Sequence, residues 1–155
     1  MDYYNLEATQ TFLVSLKAMI TYAGKLLILR VADSHGQGLW ELPGGLLEMD
    51  EALTDGLIRE VREETGLAVS VGNLVVAWDN RFGAFTFRDG RTLNARFIFL
   101  AYLCTATAEL ITLSHEHDDF QWISPETLTQ PNQINFAANT GEVIQYYVNS
   151  LKLSP

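Results

Sequence analysis

Three glutamates near the middle of the chain, Glu60, Glu63 and Glu64, have the spacing that places side chains on one face of a helix. At about 100° per residue they fall within an arc of roughly 100°, and carboxylates this close raise one another's pKa unless a cation lies among them. Carboxylate oxygens are hard ligands that favour Mg²⁺, Mn²⁺ or Ca²⁺ over softer metals. The spacing therefore indicates a divalent-cation site, and the alternative is a solvated acidic helix face.

Two glycine features favour the cation site. Gly56 lies in the same arc, one turn before Glu60. A glycine inside a helix costs about 1 kcal/mol relative to alanine, which indicates that space is needed on this face. The segment Pro43-Gly44-Gly45 precedes the helix. Such a backbone can approach a ligand closely and offer it carbonyl or amide groups.

The helix that would carry these residues is predicted over residues 51–65 and ends at Gly66. An apolar stripe beside the carboxylates would anchor it to a sheet; its residues are Leu53, Leu57, Ile58 and Val61. A second helix, with an apolar stripe from Val143 to Leu151, is predicted to begin at an Asn139 N-cap.

Strand-like runs surround the first helix, with turn residues between them. The strands are predicted at 12–20, 26–32, 68–71, 74–78, 84–87, 93–104 and 120–123; turns are predicted at 22–25, 79–80 and 89–90, and a polar loop at 33–38. Strands of mixed length with a central and a terminal helix favour an α/β or α+β sandwich, and residues 1–155 are interpreted as one domain.

Net charge narrows the range of partners. The chain of 155 residues has a formal charge of −9, so we expect no nucleic-acid polymer and no anionic membrane as partner. Seven acidic residues and two arginines lie between residues 45 and 67. Cations bound there would still admit a phosphorylated substrate.

Cys104 is the only cysteine, which excludes a disulfide within the chain and favours a buried strand thiol. The N-terminus has no signal-peptide pattern, which makes a cytoplasmic protein the expectation.

The acidic segment closely resembles the Nudix box, Gly-x5-Glu-x7-Arg-Glu-U-x-Glu-Glu-x-Gly-U, in which U is aliphatic. Each fixed position is filled, by Gly45, Glu51, Arg59, Glu60, Glu63, Glu64 and Gly66, and the aliphatic positions are Val61 and Leu67. The preceding Trp40-Glu41-Leu42-Pro43-Gly44 resembles the usual lead-in, and Gly56 stands where relatives usually have alanine.

The resemblance implies an α/β/α sandwich with a mixed central sheet, and a hydrolase that cleaves a nucleoside diphosphate linked to another group by attack of water on phosphorus. It also implies that Mg²⁺ or Mn²⁺ is held by Glu60, Glu63 and Glu64 with the Gly44 carbonyl. Arg59 would join the helix to the loop through Glu51, and Gly45 would support the site. The variable position Arg62 is interpreted as a surface charge.

A further acidic ligand outside the box is common in the family, and Glu116 is the best candidate here. The general base is left open among Glu64, Glu116 and Glu60. The neighbouring His115 and His117 are interpreted as surface or phosphate-contacting histidines rather than as a zinc site, because the main site is rich in oxygen ligands.

The substrate is open. Arg81, Phe82 and Arg88 belong to an aromatic and basic stretch that could stack a base and hold a phosphate, although alternating core aromatics explain it equally well. The family signals for ADP-ribose and for dinucleoside polyphosphates are absent from residues 82–85. The expected partner is a small nucleotide, either a triphosphate or a nucleotide sugar, and a homodimer is left open. A non-catalytic nucleotide sensor and an isomerase or repair domain are the competing interpretations.

Overall fold

The computed structural model describes residues 11–36, 38–87, 89–128, 130, 134–137 and 140–152, without the side chains of 35, 36, 81–83, 85 and 150–152. Along the chain the elements are β1 (Thr11–Tyr22), β2 (Lys25–Val31), α1 (Asp33–Gly36), β3 (Trp40–Glu41), α2 (Leu53–Thr65), β4 (Val69–Thr86), β5 (Thr92–Ala106), β6 (His117–Ile123), α3 (Pro125–Leu128) and α4 (Thr140–Lys152).

The described strands form one mixed sheet in the order β3-β2-β1-β5-β4, with β6 also paired to β2. Strand β1 runs parallel to β5, from Thr11 opposite Ala95 to Thr21 opposite Thr105. The other pairings between named strands are antiparallel. This mixed α+β arrangement confirms the predicted fold class.

Both faces of the sheet are covered, and its central strands therefore bury both sets of alternating side chains. Leu16, Ala18 and Ile20 of β1 belong to the core cluster that includes α2. Met19 of the same strand belongs to the cluster that includes α4. The two helices therefore lie on opposite faces of the sheet.

Helix α2 ends where the sequence predicts. Gly66 adopts the left-handed conformation, with φ of 71°, and its N–H donates to the carbonyl of Arg62. Leu57 and Val61 are fully buried, whereas Leu53 and Ile58 are each 38% exposed. The anchoring stripe is therefore narrower than predicted, because only the residues that point at the sheet are buried.

Several local predictions are wrong. Residues 68–87 were expected to hold separate strands with a turn at Asp79-Asn80, but β4 continues through them with shifts in register. Asp79 is paired with Arg96 across the sheet, which explains an acidic residue within a strand. The predicted loop at 33–38 contains α1. Asn139, the predicted N-cap of α4, lies outside the described residues.

Other local predictions are confirmed. The turns at 22–25 and 89–90 separate β1 from β2 and β4 from β5. Cys104 is buried in β5, and burial raises the pKa of its thiol to about 12. Within the described ranges, no helix is long and apolar enough to cross a membrane.

Candidate active site

The loop before α2 pairs with the part of β1 that precedes its short pairing with β2. The amides of Leu16 and Ala18 donate to the carbonyls of Gly45 and Pro43, each at 2.8 Å. Gly44 has a φ of +133°, and a Cβ atom there would collide with the carbonyl oxygen of Leu16. Only glycine fits this close approach, so the backbone of β1 sets the position of the loop.

A groove of about 620 Å³ lies between this loop, α2 and the end of the β4–β5 hairpin. Its lining residues are Glu41, Gly44, Gly45, Leu46, Glu48, Arg59, Glu60, Glu63, Glu64, Thr86, Phe87, Asp89 and Glu116. Six of these residues are glutamates and one is an aspartate, so the groove is strongly acidic.

Arg59 connects α2 to the preceding loop. Its Nε donates to Glu51 Oε1 at 2.5 Å, and Nη2 donates to Glu51 Oε2 at 3.0 Å and to the Leu46 carbonyl at 3.2 Å. Its Nη1 donates to Glu60 at 2.8 Å and to Glu63 at 3.3 Å. Planar guanidinium groups suit such paired contacts. The arginine therefore holds loop, helix and two acidic side chains together.

Gly45 and Gly56 leave room for carboxylates. A Cβ atom on Gly45 would lie 2.5 Å from Glu60 Cδ. A Cβ atom on Gly56 would lie 2.8 Å from Glu51 Oε2. The space that the sequence predicted beside Gly56 is thus occupied by the Glu51 carboxylate that pairs with Arg59.

Burial has the largest influence on the pKa of Glu60 and raises it. Arg59 lowers this pKa, whereas the negative charges of Glu63 and Glu116 raise it further. Glu64 is 7% exposed and accepts a hydrogen bond from the Gly44 amide at 2.8 Å. Burial raises the pKa of Glu64 to about 7, although Lys17 and His117 lower it. The positive charges near Glu60 and Glu64 are therefore too few to offset the effect of burial on the pKa of either carboxylate.

A buried network not predicted from the sequence lies beside Glu64. Lys17 Nζ donates to Glu41 Oε2 at 3.0 Å and to the carbonyls of Leu42 and Gly44, each at 3.3 Å. His117 Nε2 lies 3.3 Å from Glu41 Oε1 and 4.0 Å from Glu64 Oε1. The interpretation of His117 as a surface or phosphate-contacting residue is wrong, because its side chain is 2% exposed. A charged residue within the apolar run of β1 was the signal that could have revealed this network.

The donor set fits a hard divalent cation. Glu60, Glu63, Glu64 and Glu116 supply oxygen atoms to one groove. Among the described residues, no three acidic, histidine or cysteine side chains are already arranged around an ion position. In this structure Arg59 engages Glu60 and Glu63, and the Gly44 amide engages Glu64. Binding an ion would require these side chains to exchange part of those contacts.

The other predicted site residues are distributed as follows. Glu116 is half-buried and lines the groove, whereas His115 and Arg62 are exposed. Arg81 and Phe82 belong to β4 by their backbone, but their side chains lie outside the described part of the chain, as does the whole of Arg88. Beside them Phe87 does line the groove, with the Arg91 guanidinium 5.6 Å from its ring centre.

Comparisons with known proteins identify sequences that are similar to this chain. A family model described as the NUDIX domain matches residues 15–147. Nucleoside triphosphatase NudI of Escherichia fergusonii is 31% identical over 115 residues, which cover 72% of this chain and 82% of that protein.

Solved structures show the same fold. A MutT protein from Methanosarcina mazei Go1 is 25% identical, with a TM-score of 0.72, over 94% of this chain and 99% of that one. The E. coli ORF135 protein is also 25% identical, with a TM-score of 0.69, over 94% of this chain and 95% of that one.

Proposed function

Because the chain belongs to the Nudix hydrolase family, we propose that it is a divalent-metal-dependent pyrophosphohydrolase, with residues 1–155 as one domain. Its substrate would be a small nucleotide in which a nucleoside diphosphate is linked to another group. The observation that carries the proposal is the acidic groove, where the glutamates of α2 lie beside the Gly44 loop. The name of the E. fergusonii relative, a nucleoside triphosphatase, favours nucleoside triphosphates over nucleotide sugars.

The cation-binding residues would be Glu60, Glu63, Glu64 and Glu116, together with the Gly44 carbonyl. Proteins of this family generally use a divalent metal, and oxygen ligands suit Mg²⁺ or Mn²⁺. When bound, such ions would neutralise phosphate charge and lower the pKa of a coordinated water. A carbonyl oxygen has two lone pairs, so Gly44 can accept from Lys17 and still face an ion.

The protein's own residues would orient the reaction. Attack of water on phosphorus breaks one phosphoanhydride bond and requires a base to accept the proton of the attacking water. Glu64, Glu116 and Glu60 are the candidates for that base, and all three line the groove. Arg59 would keep α2 at a fixed distance from the loop through Glu51, as its present contacts do. Phosphates would then meet a preorganised surface.

A substrate screen tests the proposal. The purified protein would be incubated with nucleoside triphosphates, nucleotide sugars, dinucleoside polyphosphates and coenzyme A compounds, with Mg²⁺, with Mn²⁺ or with EDTA. Products would be separated by anion-exchange chromatography. We expect metal-dependent cleavage, with the highest kcat/KM among the triphosphates.

Two results would contradict the proposal. Turnover that persists in EDTA would exclude the metal-dependent reaction. No turnover of any compound, with nucleotide binding retained, would indicate a nucleotide sensor instead.

A further inference from the structure

Both carboxylate oxygens of Glu41 are engaged by buried side chains. Lys17 Nζ holds Oε2 at 3.0 Å, and its side chain is only 12% exposed. The His117 imidazole lies 3.3 Å from Oε1 and is 2% exposed. Glu41 itself lines the groove beside Gly44 and Glu64. A carboxylate at the edge of a proposed cation site is thus turned to other partners.

The charges in this network are strongly coupled. Burial would raise the pKa of Glu41, but Lys17 and His117 lower it to about 2. Burial would lower the pKa of Lys17, but the negative charges of Glu41, Glu64 and Glu60 raise it above its ordinary value. Both members of the pair are therefore charged at neutral pH, and each compensates the other.

We propose that Lys17 is a positioning residue that keeps Glu41 from binding the catalytic cations, and so leaves those ions to the glutamates of α2. The inference rests on the proposed function, because it assumes that the groove binds divalent ions. Lys17 also holds the Gly44 carbonyl at 3.3 Å. A single ammonium group thereby fixes one backbone oxygen of the site and withholds one carboxylate from it.

Removal of the Lys17 charge has a distinctive expected result. Without Lys17, Glu41 would keep its contact with His117 through Oε1, but its Oε2 would lose its partner. That oxygen, beside Glu64, would attract a divalent ion and draw it away from the geometry required for hydrolysis. A merely structural lysine would instead weaken both folding and ion binding when it is replaced. A rise in cation affinity together with a fall in turnover is therefore the result expected of a positioning lysine, whereas a loss of both is the result expected of a structural one.

Binding of Mn²⁺, followed by electron paramagnetic resonance in the absence of nucleotide, tests the proposal independently of activity. Lys17→Met removes the charge and keeps an unbranched side chain. We expect its Mn²⁺ dissociation constant to fall about tenfold, because a unit charge is removed within a few ångströms of the site. We expect kcat on the best substrate to fall by roughly 10- to 100-fold, as for residues that orient metal ligands.

Three further variants sharpen the test. Lys17→Met/Glu41→Gln removes both charges together and should return the Mn²⁺ affinity to within about threefold of the unaltered protein. Lys17→Arg keeps a cation and should also retain that affinity. Lys25→Met, at an exposed lysine at the start of β2, is the matched control and should change neither measurement. Circular dichroism verifies folding of each variant.

The outcomes separate the two proposals. If the unaltered protein binds no Mn²⁺, the proposed function is overturned and this inference with it. If it binds Mn²⁺ and Lys17→Met binds equally or more weakly, only this inference is overturned. If Lys17→Met does not fold, the double variant Lys17→Met/Glu41→Gln decides. A tenfold loss of Mn²⁺ affinity in that double variant would make Glu41 a ligand and overturn the inference.

Discussion

Helices α2 and α4 make a direct comparison, because both have 13 residues and pack on opposite faces of one sheet. Helix α4 is anchored by Val143, Ile144 and Val148, each at most 5% exposed. Helix α2 is anchored by Leu57 and Val61, which are fully buried. The fold therefore needs no more from either helix than an apolar stripe.

What distinguishes α2 is a second face that works against stability. It buries the Glu64 carboxylate and places Glu60 and Glu63 where both accept from the same nitrogen of Arg59. Buried charge reduces stability. The described part of α4 has no buried acidic residue. The difference teaches that packing explains where α2 lies but not why it has an acidic face, which the proposed cation site would explain.

The largest expected effect is that of Glu64→Gln. Glutamine preserves the shape and can still accept from the Gly44 amide, but it removes the negative charge that the proposed ions require. We expect kcat to fall by roughly 10²- to 10⁴-fold, the range for a group that takes part in the reaction, with little change in thermal stability. Glu63→Gln should also abolish most activity without unfolding the protein.

The matched control on the other helix is Glu142→Gln, in the exposed first turn of α4. It should leave kcat and KM unchanged. Equal activity of Glu64→Gln and Glu142→Gln would remove the distinction between the two helices.

Core truncation on both helices tests their shared role. Leu57→Ala and Ile144→Ala each remove a side chain that is at most 1% exposed. We expect each to lower the free energy of unfolding by about 2–5 kcal/mol, measured by urea titration. At temperatures where both remain folded, Leu57→Ala should reduce kcat because α2 shifts, whereas Ile144→Ala should not. A loss of kcat confined to Ile144→Ala would contradict the division of roles.

Replacement of Arg59 should have an intermediate effect. Arg59→Met breaks the contacts to Glu51, Glu60 and the Leu46 carbonyl. We expect kcat to fall by roughly 10- to 100-fold, since the loop and helix lose their connection. Arg62→Met, at an exposed position on the same helix, is the control and should retain full activity. Similar kinetics for both variants would show that Arg59 does not position the site.

The smallest expected effect is that of Gly56→Ala. Alanine increases helix propensity by up to about 1 kcal/mol, but its methyl group would lie 2.8 Å from Glu51 Oε2. The carboxylate must move while Arg59 holds it. We expect the free energy of unfolding to change by less than about 1 kcal/mol, and kcat to fall less than tenfold. A greater loss of activity than in Arg59→Met would mean that Gly56 contacts the substrate or ion directly.

Prediction from the sequence succeeded where the signal was local. The carboxylates of α2 and the terminating Gly66 lie within one helix, so their spacing alone predicted that they share a region. The Lys17 network was missed because Lys17 and Glu41 are 24 residues apart, and Glu41 and His117 are 76 apart. Only strand pairing brings them together. The predicted turn at Asp79 is wrong for the same reason, because the partner of Asp79 within the sheet, Arg96, lies on another strand.

The parallel pairing of β1 with β5 has a consequence for the kinetics of folding. Thr11 lies opposite Ala95, so a long stretch of chain must close before this ladder forms. Contacts of high sequence separation slow folding. The opposite edge of β1 holds the Gly44 loop. Helix α2 can nucleate early from local contacts, but its glutamates acquire their positions only after the distant β1–β5 pairing has placed the strand that holds the loop.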